Sequence, residues 1–167
     1  KNAKADASRV GIFGWSRGGM MTYLMLRQTD RIKAAVVGGG LSDLFLMKSD
    51  RPEMEEVYAD LIPNYEYDKD TVLAQRSAIR WPEEICKTTP ILLLHGTSDW
   101  RVIPEMALDI SRAFIDCQQP FRLLLLEGGD HGLNEHNGEV FEQTRKWFDK
   151  YVRDGDALPD LEPHGSE

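Results

Sequence analysis

Cysteine is scarce in this sequence. The 167 residues include only two cysteines, Cys86 and Cys117. Two thiols cannot build a disulfide framework, and their spacing matches neither the CxxC pair of redox proteins nor the clustered ligands of a structural zinc site. We therefore predict that both are buried, reduced thiols, and we expect neither a metal nor another cofactor.

Positive charge is also in short supply. The chain has 20 Lys and Arg residues against 28 Asp and Glu residues, a formal net charge of −8. Proteins that bind a phosphate backbone present a basic stripe, and the sequence has none. Nucleic acid is therefore not an expected partner, and the excess of acidic residues serves solubility.

Long apolar runs are missing as well. None approaches the roughly 20 residues that a membrane-spanning helix needs, so we expect no membrane span. Residues 1–9 are polar and do not form the pattern of a secretory signal peptide. The sequence does not decide the cellular compartment, because the first predicted strand begins so early that a leader segment could precede Lys1. A cytoplasmic location is favoured over the alternatives.

A GxSxG pattern is the most informative motif in the sequence. Ser16 stands between Gly14 and Gly18, after a β-branched and aromatic run at residues 10–13 and before the apolar residues 20–26. In a nucleophile elbow the serine occupies a strained turn between a strand and a helix, and flanking glycines leave room for the backbone. The pattern predicts Ser16 as a nucleophile, followed by a helix that is buried on most faces.

Further apolar patterns extend this unit into an alternating series. Continuous apolar runs predict buried strands at residues 34–37, 90–96 and 121–126. Helical stripes lie at residues 103–117 and 140–151. Strands that alternate with helices predict an α/β fold with a parallel sheet, right-handed crossovers and helices on both faces.

Residues 41–89 carry no strong strand signal. Helical stripes at residues 52–61 and 71–78 instead predict a helical insertion over the sheet. Four aromatic residues of this segment either line a pocket or pack in a core: Tyr58, Tyr65, Tyr67 and Trp81. We expect one domain over residues 1–154 and a loosely ordered tail over residues 155–167.

Three chemically suited side chains each follow a predicted strand: Ser16, Asp99 and His131. Ligands bind outside the carboxyl ends of the strands in such sheets, so one edge can gather all three. A serine hydroxyl needs a base, and an imidazole serves best when a carboxylate fixes its tautomer. We predict Ser16 as nucleophile, His131 as base and Asp99 as orienting acid, in the chain order of α/β-hydrolases.

Other residues compete for the base and the acid positions. His95 lies at a strand end and His136 follows His131 closely, so either could be the base. The competing carboxylates are Asp43, Asp130 and Glu127. Glycines on both sides of Asp130 and His131 indicate a loop that brings the His131 ring close to the elbow, which favours His131.

Arg17 comes directly after the candidate nucleophile. Its backbone N–H is the group that would donate to an oxyanion. Its side chain is either a charge at the mouth of a pocket or a solvated arginine, and the sequence does not separate the two.

The three candidate residues lie within longer motifs. These are RVGIFGWSRGGMMT around Ser16, PILLLHGTSDWRV around Asp99 and EGGDHGL around His131. Together they resemble the catalytic domain of the prolyl oligopeptidase family, which includes dipeptidyl peptidases and acylaminoacyl peptidases. The resemblance extends from Arg9 to Arg153. It implies an α/β-hydrolase fold, a triad of these residues and a peptidase that acts through an acyl-enzyme.

The resemblance also suggests roles for residues beside the triad. Trp15 matches the aromatic residue before the serine, and we expect Trp15 and Arg17 to contact substrate. Arg101 and Val102 match the pair that follows the family's acid. Arg17 stands where many members have tyrosine or another residue, which bears on substrate preference.

Members of the family carry a propeller domain and several sheet strands ahead of the elbow, including the loop with the second oxyanion donor. None of these segments is in the sequence, so we expect the C-terminal part of an α/β-hydrolase fold, with its N-terminal strands missing. The strand from Val10 to Phe13 would then have an uncovered edge. We expect this edge to pair with another copy of the chain in a homodimer, to pair with the missing N-terminal portion, or to cause aggregation.

Two other functions stay open beside the peptidase. A carboxylesterase would use the same triad, because ester and amide cleavage share the nucleophile, the base and the oxyanion donors. A catalytically silent fragment with a structural or interaction role is the alternative from another class. The expected substrate is a peptide or a small ester.

Overall fold

Four parallel strands form the sheet of this protein. The computed structural model describes residues 6–165. The strands are β1 Val10–Trp15, β2 Ile32–Gly38, β3 Ile91–Gly96 and β4 Phe121–Leu126. They lie in the order β1-β2-β3-β4, and each neighbouring pair is parallel. The predicted α/β fold with a parallel sheet is confirmed.

Helices cover both faces of the sheet. Within the described residues the α-helices are α1 Arg17–Gln28, α2 Leu44–Asp50, α3 Met54–Leu61, α4 Lys69–Ala74, α5 Glu105–Asp116 and α6 Asn137–Phe148. Successive strand residues point to opposite faces. Val37 and Leu93 pack in the cluster that contains α1 and α5 side chains. Val36 and Leu92 pack against Trp147 of α6, on the other face.

Shorter helical turns complete the described chain. Three turns of 3₁₀-helix lie at Ala78–Arg80, Pro82–Glu84 and Asn134–His136, and a π-helical segment at Asp149–Arg153 continues α6. Residues 155–165 contain no helix or strand. No helix of the described part is both long and apolar enough to cross a membrane.

The segment between β2 and β3 forms a helical layer with its own apolar cluster. Tyr58, Tyr65 and Leu73 pack there with Met20 of α1 and Met106 of α5. This cluster therefore joins helices α2 to α4 to the helices beside the elbow. It forms one wall of the cavity described below.

Helix α2 was absent from the predicted elements. Seven residues are too few for a periodic apolar stripe to stand out. The local signal was instead Asp43, whose carboxylate accepts hydrogen bonds from the backbone N–H groups of Phe45 at 2.9 Å and Leu46 at 3.4 Å. Such a cap satisfies N–H groups that a helix start leaves without partners.

Several predicted burials are wrong. Helix α1 was predicted to be buried on most faces, but Met21 and Met25 are 55% and 43% exposed, because only one side of α1 meets the sheet. Strand β4 was predicted to be buried, but Arg122 and Leu125 are exposed, because β4 is an outer strand within the described residues. Tyr67 is 90% exposed and lines neither a pocket nor a core.

The two cysteines are free, as the sequence predicts, but they are only half-buried. Cys86 lies in a turn, where its sulfur is 3.1 Å from the Thr88 hydroxyl. Cys117 caps the C-terminal end of α5. Both lie where a helix or turn meets solvent, which is why the predicted full burial is wrong.

Candidate active site

Ser16 occupies the turn between β1 and α1. Its backbone has φ 56° and ψ −120°, and its N–H donates to the Gly38 carbonyl at 2.8 Å. A positive φ is rare for a residue with a side chain and marks a backbone that its surroundings hold in place. The elbow predicted from the GxSxG pattern is therefore present as a strand–turn–helix unit.

The glycines around Ser16 differ in what they contact. A Cβ at Gly14 would collide with the Gly18 carbonyl oxygen, so Gly14 is required by space, as predicted. A Cβ at Gly18 would meet nothing within 4 Å of the described chain, so the steric reason predicted for Gly18 is wrong here. The close approach occurs at Gly19 instead, where a Cβ would lie 2.7 Å from the Gly40 Cα.

His131 and Asp99 lie close together in space although 32 positions separate them. The His131 Nδ1 atom is 2.7 Å from the Asp99 Oδ2 atom. The other carboxylate oxygen, Oδ1, accepts the backbone N–H groups of Arg101 at 2.9 Å and Val102 at 3.0 Å. The Asp99 side chain is 1% exposed and the His131 side chain 16% exposed. Both carboxylate oxygens of Asp99 are therefore hydrogen-bonded, and the His131 ring lies between the carboxylate and solvent.

The surroundings of Asp99 keep it ionised. Burial by itself opposes a charged carboxylate, but the hydrogen bonds from His131 and from the Val102 N–H outweigh it. The pKa of Asp99 therefore lies below its usual value. An ionised Asp99 accepts a hydrogen bond from the His131 Nδ1–H, and this tautomer leaves the Nε2 atom free to accept a proton.

The other carboxylates that the sequence leaves open are engaged elsewhere. Asp43 caps α2, as described above. Asp130 accepts the backbone N–H groups of Gly132 at 2.8 Å and Leu133 at 2.9 Å, and so shapes the loop that carries His131. Glu127 is exposed, and its backbone carbonyl is 3.0 Å from the His136 ring.

The two competing histidines also contact other groups. His136 contacts Glu127, at the start of α6. His95 is buried beneath Asp99: its Nε2 atom is 2.7 Å from the Val102 carbonyl and 3.5 Å from the Asp99 Oδ2 atom. Burial lowers the pKa of His95 although the Val102 carbonyl and Asp99 favour its charged form. His95 therefore helps to hold the loop of residues 99–102 in place. The sequence alone does not reveal this role.

The glycine-rich turn after β2 is a part of the site whose role the sequence did not show. Gly39 has φ 48°, and a Cβ there would lie 3.2 Å from the His131 Cε1 atom and 3.5 Å from the Asp99 Oδ2 atom. Glycine thus lets the histidine ring lie directly against the end of β2. The signal was present as the run of three glycines at residues 38–40, but only the fold shows what it accommodates.

Trp15 links the elbow to the histidine loop. Its indole N–H donates to the His131 carbonyl at 2.9 Å. The same ring lies against Gly38, where a Cβ would collide with it. Trp15 therefore holds the backbone of the residue whose imidazole contacts Asp99.

A cavity of about 740 Å³ lies beside two of the three candidate residues. Its walls include Ser16 and His131, together with Trp15 and Arg17, the residues predicted to contact substrate. The Ser16 hydroxyl and the His131 ring are not hydrogen-bonded to each other in this structure, although both face the cavity. Catalytic hydrogen bonds are often longer in the absence of substrate and tighten when it binds.

The start of α1 provides backbone donors beside Ser16. The helix begins at Arg17, and the Ser16 side chain does not cap it. The first N–H groups of a helix have no carbonyl partner within the helix, and the positive end of the helix dipole lies there. The Arg17 N–H is therefore suited to an anionic oxygen. No group of three or more His, Cys, Asp or Glu side chains suited to a metal ion occurs within residues 6–165.

Comparison with known proteins agrees with this architecture. The model of the prolyl oligopeptidase family matches residues 1–155. Dipeptidyl-peptidase 5 of Porphyromonas gingivalis is 28% identical over 162 residues, which cover 92% of this chain and 23% of that protein. The chain thus spans about a quarter of the length of that relative.

Two solved structures share the fold. A puromycin-hydrolyzing peptidase of Mycobacterium tuberculosis has a TM-score of 0.74 at 27% identity, over 96% of this chain and 24% of that one. Acylaminoacyl peptidase of Pyrococcus horikoshii has a TM-score of 0.81 at 21% identity, over 96% of this chain and 27% of that one. The two structures show the fold, and the match of the family model to residues 1–155 identifies the chain as a member of the prolyl oligopeptidase family of serine peptidases.

Proposed function

We propose that this chain carries the catalytic residues of a serine peptidase that cleaves peptides through an acyl-enzyme, with Ser16 as nucleophile, His131 as base and Asp99 as orienting acid. The observation that carries the proposal is the 2.7 Å contact between the side chains of Asp99 and His131, because His131 lines the same cavity as Ser16. Membership of the family supports it.

The proposed reaction begins at the Ser16 hydroxyl. Its oxygen attacks the carbonyl carbon of the scissile amide while the His131 Nε2 atom takes the hydroxyl proton. The imidazolium that forms is stabilised by Asp99, to which its Nδ1–H donates. The carbonyl oxygen becomes an oxyanion, to which the Arg17 N–H donates.

The tetrahedral intermediate then collapses. The bond to the leaving nitrogen breaks, and the amine departs with the proton that His131 carried, which leaves the acyl group on Ser16 as an ester. A water molecule, deprotonated by His131, attacks this ester. The acid product leaves, and Ser16 recovers its proton.

A fluorophosphonate probe tests the activated serine. The folded chain and Ser49→Ala, a control at an exposed serine of α2, should react with the probe, and Ser16→Ala should not. Intact mass and peptide mapping locate the adduct. Folded protein that stays unlabelled would count against the proposal and in favour of a silent fragment. Hydrolysis of matched amide and ester substrates by the parent chain that has not been treated with the probe then compares the peptidase with the esterase.

A further inference from the structure

The cavity beside Ser16 has a charge opposite to that of the whole chain. The formal net charge of the protein is −8. Four arginines line the cavity: Arg17, Arg51, Arg76 and Arg101. Within residues 6–165, no Asp or Glu is among its lining residues. The positive groups come from α1, from the end of α2, from the turn after α4 and from the loop that follows Asp99, so the fold gathers them from four separate segments.

Three of these arginines have no acidic partner in the part of the chain that the structure describes. Arg51 pairs with Glu53 at 2.9 Å, so its charge is compensated. Within residues 6–165, no carboxylate oxygen lies within 4.0 Å of the guanidinium nitrogens of Arg17, Arg76 or Arg101. Arg76 is half-buried and donates from one nitrogen to the Val72 carbonyl at 3.0 Å, which leaves other N–H groups free to donate.

Asp99 is ionised but makes no direct contact with the cavity. Both of its oxygens are occupied, by His131 on one side and by backbone N–H groups on the other. Its side chain is 1% exposed and does not line the cavity. A ligand in the cavity therefore contacts the arginines and the His131 ring, and not this carboxylate.

Apolar side chains form the rest of the wall. They include Met20, Leu41, Leu44, Met47, Val57 and Ile62. Tyr58 also lines the cavity, is 5% exposed, and its hydroxyl makes no hydrogen bond within the described residues. An apolar surface with several guanidinium groups beside it suits a ligand that has both an apolar side chain and an anionic group. The low-dielectric wall strengthens the positive potential of the guanidinium groups inside the cavity, and this potential attracts the anionic group.

We propose that this cavity selects peptides that carry a carboxylate close to an apolar residue at the scissile bond, with Arg17, Arg76 and Arg101 as the residues that recognise the carboxylate. Guanidinium groups suit this role, since their planar N–H groups match the geometry of a carboxylate. This inference rests on the proposed function only in placing the scissile bond next to Ser16. The preference for a carboxylate is a property of the cavity itself, and peptide-binding measurements detect it without any turnover.

Two peptide amides test the proposal by binding to the Ser16→Ala chain, which cannot turn them over. N-succinyl-Ala-Leu-amide and N-acetyl-Ala-Leu-amide share the apolar leucine and differ by one carboxymethyl group, which adds a carboxylate and one methylene. Titration followed by NMR should give about tenfold tighter binding of the succinyl peptide, the product of several partly solvated ion pairs. The ratio should fall towards one as the salt concentration rises from 0.05 to 1 M, because salt screens partly exposed charges.

Arginine variants show which residues produce the preference. In the Ser16→Ala background, Arg76→Gln and Arg101→Gln should each reduce the ratio about threefold, as expected for the loss of one partly exposed ion pair. The acetyl peptide should bind these variants as it binds the parent chain. Arg112→Gln, at an exposed arginine of α5 away from the cavity, is the matched control and should leave the ratio unchanged.

The outcomes separate this inference from the proposed function. Equal binding of the two peptides, or a preference that Arg76→Gln and Arg101→Gln both leave intact, overturns the inference even if the fluorophosphonate probe labels Ser16. A preference for the succinyl peptide that depends on these arginines supports it. If the probe then fails to label Ser16, the cavity still recognises anionic peptides and it is the catalytic proposal that falls.

Discussion

At the scale of single residues, Asp99 connects most of the site. It contacts His131 through one oxygen and the backbone of Arg101 and Val102 through the other, and His95 lies beneath it. Its position depends on backbone contacts as much as on its catalytic partner. A buried carboxylate held by this many donors stays ionised in spite of its burial.

His95 gives this site a measurable pH signature. Burial lowers its pKa in the folded chain, whereas an unfolded chain has an ordinary histidine pKa of about 6.5. Below that value the unfolded state binds more protons than the folded state, so the contribution of His95 to the free energy of unfolding is complete above about pH 6.5 and is lost as the pH falls through the folded pKa. The lowered pKa of Asp99 also makes the free energy of unfolding fall as the pH falls, but only below the usual aspartate pKa near 4.

We therefore predict that His95→Gln flattens the pH dependence of stability between pH 7 and 5. Urea unfolding at several pH values measures it, and the slope is the readout, because the substitution also changes the absolute free energy. His164→Gln removes an imidazole from the exposed tail and is the matched control. The same slope in the parent chain and in His95→Gln would contradict the prediction.

At the scale of elements, the start of α1 depends on how closely the helix approaches the end of β2. A Cβ at Gly19 would lie 2.7 Å from the Gly40 Cα and 2.9 Å from a Val37 methyl group, whereas a Cβ at Gly18 would meet nothing within 4 Å. The two glycines are neighbours in the same helical turn. The same substitution at each therefore compares the stability effect of a Cβ that collides with neighbouring atoms with that of a Cβ that meets none.

Alanine at these two positions should change stability in opposite directions. Gly18→Ala should raise the free energy of unfolding by up to about 1 kcal/mol, the difference in helix propensity between the two residues. Gly19→Ala should lower it, because backbone and a β-branched side chain cannot move aside without shifting α1. Chemical denaturation of the two variants measures both effects. Stabilisation by Gly19→Ala would contradict the described packing.

At the scale of the whole molecule, β1 is an outer strand within the described residues. It pairs with β2 on one side only. Phe13 is 49% exposed on this strand, whereas Ile12 packs against the core. An outer strand with unpaired backbone groups and an apolar surface is a template for another strand.

We predict that the isolated chain self-associates through β1 at high micromolar concentration. Light scattering should show an apparent mass that rises with concentration, and Phe13→Lys should lower it, because charge on an outer strand opposes strand addition. Leu158→Lys, at an exposed apolar residue of the tail, is the control. A stable monomer whose amides at residues 10–13 are protected from hydrogen exchange would refute the prediction.

Local patterns in the sequence determined the elements and the kind of chemistry. The GxSxG pattern indicated the elbow because a serine between a strand and a helix needs space at Gly14, and this requirement concerns only a few neighbouring residues. The apolar runs at β2 and β3 indicated buried strands for the same reason, since burial on both faces removes polar residues from the run. Helix α2 was not predicted, because its seven residues are too few to show a helical repeat of apolar positions.

Tertiary structure alone decided which of these groups meet. Asp43, Asp99 and Asp130 all follow strands in the sequence, and only the packed chain brings one of them to 2.7 Å from His131 while the other two bind backbone N–H groups. Exposure of Met21 on α1 likewise depends on which layers cover the helix. The arginine-lined cavity is a further case, because charges from four distant segments become neighbours only in the fold. Local sequence specifies the conformation of short segments, whereas distances between segments follow from how they pack.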